Sequence, residues 1–171
     1  MITNYNSNRT NNKSSLTKLF VTTVVAALLM SLASCEIETS DNGKLDGFWH
    51  LERIDSLDNG NTVDCSNQQI FWGVQLRLIE AKDLGNNAYK RLYLRFEQTP
   101  DSLYINKVYE NHWHEDNPND EVGGDVPVEM VNDDTRHCGI NNIPEGFLKE
   151  RLDGKKMILR SKMLRLTFRR F

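Results

Sequence analysis

Alternation of apolar and polar residues with a period of two is the feature of this 171-residue chain that most restricts its fold. Successive side chains of a strand point to opposite faces, so this period predicts strands with one buried face. The pattern runs through 90–98 and 164–169, and it predicts one long strand over 69–80. The apolar face of that strand would hold Ile70, Trp72, Val74, Leu76 and Leu78. No segment after residue 35 shows a convincing period of 3.6, so the predicted class is all-β.

Short turns separate the strand signals. The strongest is Asp153-Gly154, because both residues tolerate the backbone angles of a tight hairpin. Seven or eight strands joined in this way predict an antiparallel up-and-down meander. Such a meander removes its exposed edges most simply by closing into a barrel, and a two-sheet β-sandwich is the alternative. Residues 110–145 interrupt the rhythm. Only a short strand at 126–131 and a helical turn near 135–141 are expected there.

The first 34 residues have the order of a bacterial export signal. The only charged residues before Cys35 are Arg9, Lys13 and Lys18, and sixteen uncharged residues follow from Leu19 to Ser34. That run is shorter than the about 20 apolar residues that cross a bilayer. Its end, Leu32-Ala33-Ser34-Cys35, resembles the lipobox of bacterial lipoproteins. The resemblance implies cleavage before Cys35 and acylation of Cys35. An ordinary secretory signal with an incidental Cys35 is the alternative.

The domain organisation follows from this leader. Residues 1–34 are expected to be removed as a lipoprotein signal peptide, and residues 35–44 to form a lipidated tether. Residues 45–171 are long enough for one domain with its own core. Several acyl chains hold a protein firmly to a bilayer, so the membrane is an expected partner. The acidic residues directly after Cys35 favour the outer membrane of the cell envelope, with its leaflet left open.

Charge is distributed unevenly along the mature chain. Three of the 21 Lys and Arg residues precede Cys35, so 18 remain against 24 Asp and Glu, a net charge of about −6. This balance argues against nucleic acid as a partner. Residues 110–134 carry nine Asp or Glu, and residues 149–171 carry nine Lys or Arg. The basic residues are expected to form the outward faces of strands or, alternatively, to meet an anionic partner such as lipopolysaccharide phosphate or an acidic glycan.

Two cysteines remain once Cys35 is lipidated. Cys65 and Cys138 lie 73 positions apart, and an even pair in an oxidising compartment permits a disulfide. In the chain-entropy description, closing a loop of that size would stabilise the domain by roughly 4 kcal/mol. Two free thiols are the alternative, and the sequence does not decide between them.

Gly47-Phe48-Trp49, at the start of the first strand, resembles the Gly-x-Trp signature of lipocalins. The stretches 144–147, 156–161 and 164–171 are similar to the end of a lipocalin-like bacterial lipoprotein family of unknown function. The resemblance implies an eight-stranded lipocalin-like barrel whose closed end is plugged by Trp49, with a late-strand arginine packed across it. Arg165 and Arg169 alternate with Leu164, Leu166 and Phe168, so neither is expected to face Trp49.

Few residues form a pattern that chemistry requires. His112 and His114 share one face of an extended segment and are weak candidates for zinc ligands, although zinc needs further ligands. Residues 116–120 lack the ligand spacing of a calcium loop. No catalytic motif and no cofactor motif is present, so a non-enzymatic protein without a cofactor is expected. Trp49 and Trp72 are weak candidates for the wall of a ligand cavity.

These observations predict a membrane-anchored envelope lipoprotein that binds a small apolar or amphipathic ligand. The alternative is an accessory or interaction module of an outer-membrane uptake or adhesion assembly, with a filled barrel and a working outer surface. A central apolar cavity would favour the first function, and a packed interior would favour the second.

Overall fold

The computed structural model describes residues 40–112 and 125–171. The leader, Cys35, His114 and the segment 116–120 lie outside these ranges. The described residues form ten strands: β1 Gly47–Ser56, β2 Thr62–Asp64, β3 Ile70–Gln75, β4 Leu78–Asp83, β5 Leu92–Gln98, β6 Ser102–Glu110, β7 Val126–Val128, β8 Glu145–Leu152, β9 Lys156–Arg160 and β10 Leu164–Arg170. A 3-10 helix, Gly43–Leu45, precedes β1, and helix α1, Asp133–His137, precedes β8.

A single antiparallel sheet closes on itself. The ring runs β1-β3-β4-β5-β6-β8-β9-β10. It is completed by pairing between β10 and β1, from Trp49–Arg170 at one end to Ser56–Leu164 at the other. The short strands β2 and β7 pair with the far halves of β1 and β6. The eight-stranded up-and-down barrel is therefore confirmed, and the two-sheet alternative is wrong because the first and last strands of the ring are hydrogen-bonded.

Period-two alternation decides which side chains enter the core. In β5, Leu92, Leu94 and Phe96 are buried, whereas Arg95 and Glu97 are exposed. In β10, the inward positions 164, 166 and 168 are all buried. At about 25 cal/mol for each Å² of apolar surface removed from water, this continuous inner face is the main stabilising contribution to the barrel.

The predicted single strand over 69–80 is wrong. The chain reverses at Leu76 and Arg77, and Gln75 pairs with Leu78 across a two-residue turn. Leu76 has a φ of 54°, a left-handed conformation that usually requires glycine or asparagine. After the turn, Ile79 and Ala81 enter the core, while Leu76 is 38 % exposed. The turn was missed because it contains no residue that favours it.

The two ends of the barrel differ. We call the end with the 3-10 helix and the turns at 76–77, 99–101 and 153–155 the closed end. The opposite end, with the loop 84–91, α1 and the turn at 161–163, is the open end. Residues 40–44, assigned to the tether from sequence, are hydrogen-bonded to the closed end: Ser40 Oγ donates to Asp46 at 2.9 Å, and the Asn42 amide donates to the Leu76 carbonyl. Within the described ranges, no helix has the length and apolar character needed to cross a membrane.

Candidate functional site

Large side chains fill the barrel interior. The indole of Trp72 lies 4.9 Å from the ring of Phe168 and 6.4 Å from the ring of Phe147, measured between centroids. All three side chains are at most 1 % exposed. The Trp72 Nε1–H donates to the carbonyl of Cys138 at 3.0 Å, which satisfies the polar atom of this large apolar group. Trp72 is therefore a core residue.

Trp49 plugs the closed end, as the resemblance to lipocalins implies. It is fully buried, and its Nε1–H donates to the carbonyl of Leu45 at 2.8 Å. The guanidinium of Arg170 lies 5.4 Å from the centroid of its ring and donates to the Asp46 carbonyl at 2.9 Å. Arg165 and Arg169 pair with Glu150 and Glu52 instead, as expected, and the arginine across Trp49 is Arg170, which sequence reasoning did not consider. Arg170 lies two positions after Phe168 on β10, so both side chains point to the same face of the sheet. This spacing could have identified Arg170 from the sequence.

Gly47 makes room for this arrangement. Its φ is +130°, which side-chain-bearing residues rarely adopt. A Cβ atom at this position would lie 2.7 Å from Nη2 of Arg170. Two features therefore require glycine at this position of the Gly-x-Trp motif: the positive φ angle and the close approach of Arg170.

A cleft with a volume of about 1050 Å³ opens at the other end of the barrel. It lies between the segment 65–70, the loop 84–91 and α1. Apolar side chains of Ile54, Val63 and Ile70 form part of its wall, and its polar lining includes Asn67, Gln68, Gln69, Asn86, Asp83, Asp133, Asp134, Arg136 and His137. Neither Trp49 nor Trp72 is among its lining residues. The candidate binding site therefore does not include the two tryptophans, Trp49 and Trp72, that the sequence analysis proposed for the wall of a ligand cavity.

Three side chains from different parts of the chain join the walls of the cleft. Nε2 of His137 lies 2.8 Å from Oδ2 of Asp83, and Oδ1 of Asp83 accepts the backbone N–H of Gly85 at 2.8 Å. The Tyr89 ring stacks on His137 at 3.5 Å with an interplanar angle of 2°. Sequence reasoning missed this group, because Asp83 and His137 are 54 positions apart.

Helix α1 is short but firmly attached. The Asn132 side chain accepts the Thr135 N–H, and the Thr135 hydroxyl accepts the Asn132 N–H, each at 2.9 Å, which forms a capping box. Asp134 accepts the N–H of Lys90 at 3.0 Å. The carbonyl that follows the helix, at Cys138, receives the Trp72 indole. The packed core therefore positions one wall of the cleft.

Cys65 and Cys138 are separate, buried thiols. Burial, with Asp64 and Asp83 as smaller causes, raises the pKa of Cys65 to about 11. Burial, with Asp134 and Asp83 as smaller causes, raises the pKa of Cys138 to about 12. Of the two alternatives left open by the sequence, the structure has the free thiols. Since the thiolate is the reactive form, both are poor nucleophiles.

We expect iodoacetamide at pH 8 to label neither thiol in the folded protein and both in the unfolded protein without reductant. The raised pKa values alone slow the reaction by about 100-fold at Cys65 and about 1000-fold at Cys138, relative to a thiol of pKa 9. Mass spectrometry of the alkylated protein measures this. A Ser66→Cys variant, with an exposed thiol next to Cys65, is the control for reagent access. Labelling of the unfolded chain only after reduction would show a disulfide instead.

Glu145 is a buried carboxylate that fixes the segment before β8. Its Oε2 accepts the N–H groups of Asn141 at 2.8 Å and Asn142 at 3.2 Å. The pKa of Glu145 is raised above its ordinary value, and burial is the largest cause. Hydrogen bonds from Asn141, Ser161 and Asn142 lower this pKa by a smaller amount. The folded state therefore holds this proton to higher pH than the unfolded state does.

A raised acid pKa makes stability fall as pH rises. The contribution of Glu145 is largest below its ordinary pKa of 4.5 and is lost as pH rises through its higher folded value. We expect the free energy of unfolding of the wild type, minus that of Glu145→Gln, to decrease over this window. Urea unfolding at a series of pH values measures it. Subtracting the variant removes the opposite trend of Asp101 and Asp153, whose pKa values are lowered. A difference that increases with pH would contradict the prediction.

The described residues add no further ligand to the predicted zinc pair, His112 and His114. His112 is exposed, and His114 lies outside the described residues. His50 lies on the outer side of β1 against Phe71, and His137 belongs to the cleft. Over residues 40–112 and 125–171, no three His, Cys, Asp or Glu side chains are grouped to hold a metal ion. Zinc binding by His112 and His114 remains a prediction.

Some of the basic residues at the C-terminal end of the chain form ion pairs with described carboxylates. Arg165 lies 2.6 Å from Glu150, Arg169 lies 2.7 Å from Glu52, and Arg151 lies 2.6 Å from Asp153. Each is a surface ion pair of the kind that contributes about 0–1 kcal/mol. These three pairs lie on the outer side of the barrel, as the first alternative expected. An anionic partner for the other basic residues stays a prediction.

The eight-stranded barrel, the Trp49 plug and the arginine across it agree with one family. The sequence profile of the lipocalin-like domain family matches residues 28–171. The chain belongs to the lipocalin-like domain family. This fold is typically a non-enzymatic binding fold, and no enzymatic family is indicated. A search of curated proteins found no match.

Two solved structures resemble this lipocalin-like chain. One is a lipocalin-like protein from Bacteroides uniformis ATCC 8492, with a TM-score of 0.50 and 18 % identity; the match covers 75 % of this chain and 100 % of that one. The other is an uncharacterized protein from Bacteroides eggerthii DSM 20697, with a TM-score of 0.49 and 22 % identity, covering 74 % and 98 %. The first supports the fold and carries no information on the ligand.

Proposed function

We propose that this protein is a lipid-anchored envelope protein that binds a small amphipathic ligand at the open end of its barrel. The observation that supports this proposal is the cleft of about 1050 Å³ at the open end, above a packed interior. A drug-sized ligand needs a concave site of about 300–1,000 Å³. Since Trp72, Phe147 and Phe168 fill the interior, the open-end cleft supplies that space.

The lining of the cleft supports an uncharged or cationic ligand with both apolar and hydrogen-bonding groups. Among its lining residues are three carboxylates, Asp83, Asp133 and Asp134, against Arg136 and His137. Amide side chains at 67–69 and 86 offer both donors and acceptors. The aliphatic groups of Ile54 and Ile70 provide the apolar contact.

Native mass spectrometry of the protein purified from membranes, compared between wild type and Ala88→Trp, tests ligand binding. Ala88 is an exposed residue in the cleft, so the indole would occupy the site without entering the core. We expect a co-purifying small molecule in the wild type and at least a tenfold lower occupancy in the variant. Leu148→Trp, at a half-exposed position on β8, is the matched control and should keep the ligand. Equal occupancy in all three would place the ligand elsewhere.

The second candidate function is an accessory or interaction module of an outer-membrane uptake or adhesion assembly. The packed interior favours it, as do exposed apolar side chains at the open end. Leu84 is 49 % exposed, Val63 51 % and Met130 81 %. A wild-type protein that carries no small molecule, and that instead co-purifies with one membrane protein through Met130, would support this module and contradict ligand carriage.

The anchor is part of the proposal. It rests on the resemblance of residues 32–35 to a lipobox. We expect wild-type protein in the membrane fraction, labelled by radioactive palmitate, and Cys35→Ser protein without label. A Cys65→Ser variant should remain labelled, since Cys65 is buried in the barrel. Label that persists in Cys35→Ser would contradict acylation at this cysteine.

A further inference from the structure

An aromatic cluster covers part of the outer surface of the barrel near the closed end. The Phe48 and Phe71 rings stack at 4.6 Å with an interplanar angle of 8°. The Phe171 ring meets both edge-on, at 6.0 and 5.2 Å between centroids. Phe171 is 75 % exposed. A cluster of rings outside the core, with one ring largely in water, suggests contact with something apolar.

A groove of about 590 Å³ continues this cluster along β3 and β4. Its apolar lining includes Phe48, Leu76 and Leu78. Gly73 also lines the groove, where a Cβ atom would be in van der Waals contact with the Phe48 ring at 3.4 Å. We call the three phenylalanines and this groove, which Arg77 and Arg95 also line, the aromatic–basic face.

Two arginines border the groove without a counter-ion. Arg77 and Arg95 line it and are exposed, and neither forms an ion pair with a described residue. The one carboxylate that lines the groove, Glu80, is already engaged: it lies 3.1 Å from both Lys82 and Arg91. Nζ of Lys82 lies 6.0 Å from the Phe48 ring centroid. The face therefore presents two arginines without an ion pair to a described residue, beside aromatic surface. Carboxylates lie in their neighbourhood, since Asp41 and Glu97 line a small pocket with Arg77, and Asp125 lines one with Arg95.

The chain enters the barrel at this face. The Asn42 side chain donates to the carbonyl of Leu76, at the tip of the β3–β4 turn. Cys35 precedes Ser40 by five residues, which span at most about 18 Å even when fully extended. An acyl anchor on Cys35 would therefore hold Ser40, two residues before Asn42, within that distance of the bilayer.

We propose that the aromatic–basic face rests on an anionic bilayer, with Phe171 and Leu76 at headgroup level and Arg77 and Arg95 against lipid phosphates. Aromatic and basic side chains together are the composition that membrane interfaces favour. The open-end cleft then faces away from the membrane, where a soluble ligand or partner can reach it. This inference rests on the proposed function only for the acyl anchor, which brings the face close to the bilayer. Binding of the face to the bilayer does not require the anchor.

The test therefore uses residues 40–171 without leader or lipid. This unit contains every described strand and the whole described core, so it is expected to fold by itself. Its partitioning is measured by flotation with phosphatidylglycerol–phosphatidylcholine vesicles and with pure phosphatidylcholine vesicles. We expect binding to the anionic vesicles only, weakened by salt. Arg77→Gln/Arg95→Gln should lower the partition coefficient about 30-fold, from roughly fivefold for each cation near an anionic surface.

Arg160→Gln/Lys162→Gln is the matched control. It removes the same charge at the open end, and it should leave partitioning unchanged. Phe171→Ser should weaken binding without changing its salt dependence. Equal partitioning into neutral vesicles, no partitioning at all, or an equal loss in the control would each overturn the proposal. Binding of monomeric short-chain phosphatidylglycerol in the groove without flotation would also overturn it, in favour of a small amphipathic anion. Palmitate labelling at Cys35 tests the anchor separately.

Discussion

Replacing Trp72 with alanine is expected to lower the free energy of unfolding by about 3–5 kcal/mol, the range for buried tryptophan or phenylalanine truncations. Trp72 is fully buried against Phe147 and Phe168. Its removal leaves a cavity and an unpaired carbonyl at Cys138. Because that carbonyl follows α1, the cleft wall should loosen as well. Urea denaturation monitored by far-ultraviolet circular dichroism measures the loss.

Two further measurements show whether the barrel interior is truly filled. Trp72→Phe keeps an aromatic ring and loses mainly the hydrogen bond, so we expect it to cost about 1–2 kcal/mol. Benzene should bind to Trp72→Ala and not to the wild type, as apolar cavities of this kind accept it. A Trp72→Ala protein that loses less than about 1 kcal/mol would show that the interior already contains space, and ligand carriage inside the barrel would have to be reconsidered.

Replacing Trp49 with alanine is expected to cost a similar amount, about 3–5 kcal/mol. The change removes the plug of the closed end, leaves the Leu45 carbonyl without its donor, and deprives Arg170 of its aromatic partner. The 3-10 helix that carries Leu45 should lose its attachment to β1. Faster amide hydrogen exchange over residues 43–47 would report that local effect.

A double-mutant cycle separates the arginine–indole contact from the rest. Trp49→Leu combined with Arg170→Met should show a coupling of about 1 kcal/mol, which is typical of a cation over an aromatic ring at a partly exposed site. Arg169→Met is the matched control. It lies on the same strand, pairs with Glu52 on the outer side, and should show no coupling to Trp49. Equal coupling for both arginines would refute a specific role for Arg170.

The strands that sequence reasoning located well are those with uninterrupted alternation and a recognisable turn. β5 and β10 follow their inward leucines and phenylalanines directly. The β3–β4 hairpin was missed because the alternation runs through Leu76 and Arg77 without a glycine or asparagine. The pairing of β3 with β4 imposes the left-handed angle on Leu76, and local preference did not indicate it.

The candidate site was less predictable than the fold. Asp83, Tyr89 and His137 come from β4, a loop and α1, and no sequence spacing connects them. The aromatic–basic face combines β1, the β3–β4 turn and β5 in the same way. By contrast, Arg170 was predictable, since its position in the alternation of β10 places it on the inner face with Phe168.

The sequence by itself determined that the long strands have one apolar face, and a short motif predicted that Trp49 plugs one end, because periodicity and a short motif are local properties. Closure of the sheet was decided by the pairing of β10 with β1. Only the tertiary structure decided whether the closed barrel is hollow. That outcome depends on which inward side chains meet across the barrel, and Trp72, Phe147 and Phe168 meet from three strands far apart in the chain. Their volumes fill the interior, and the cleft of about 1050 Å³ lies at the open end instead.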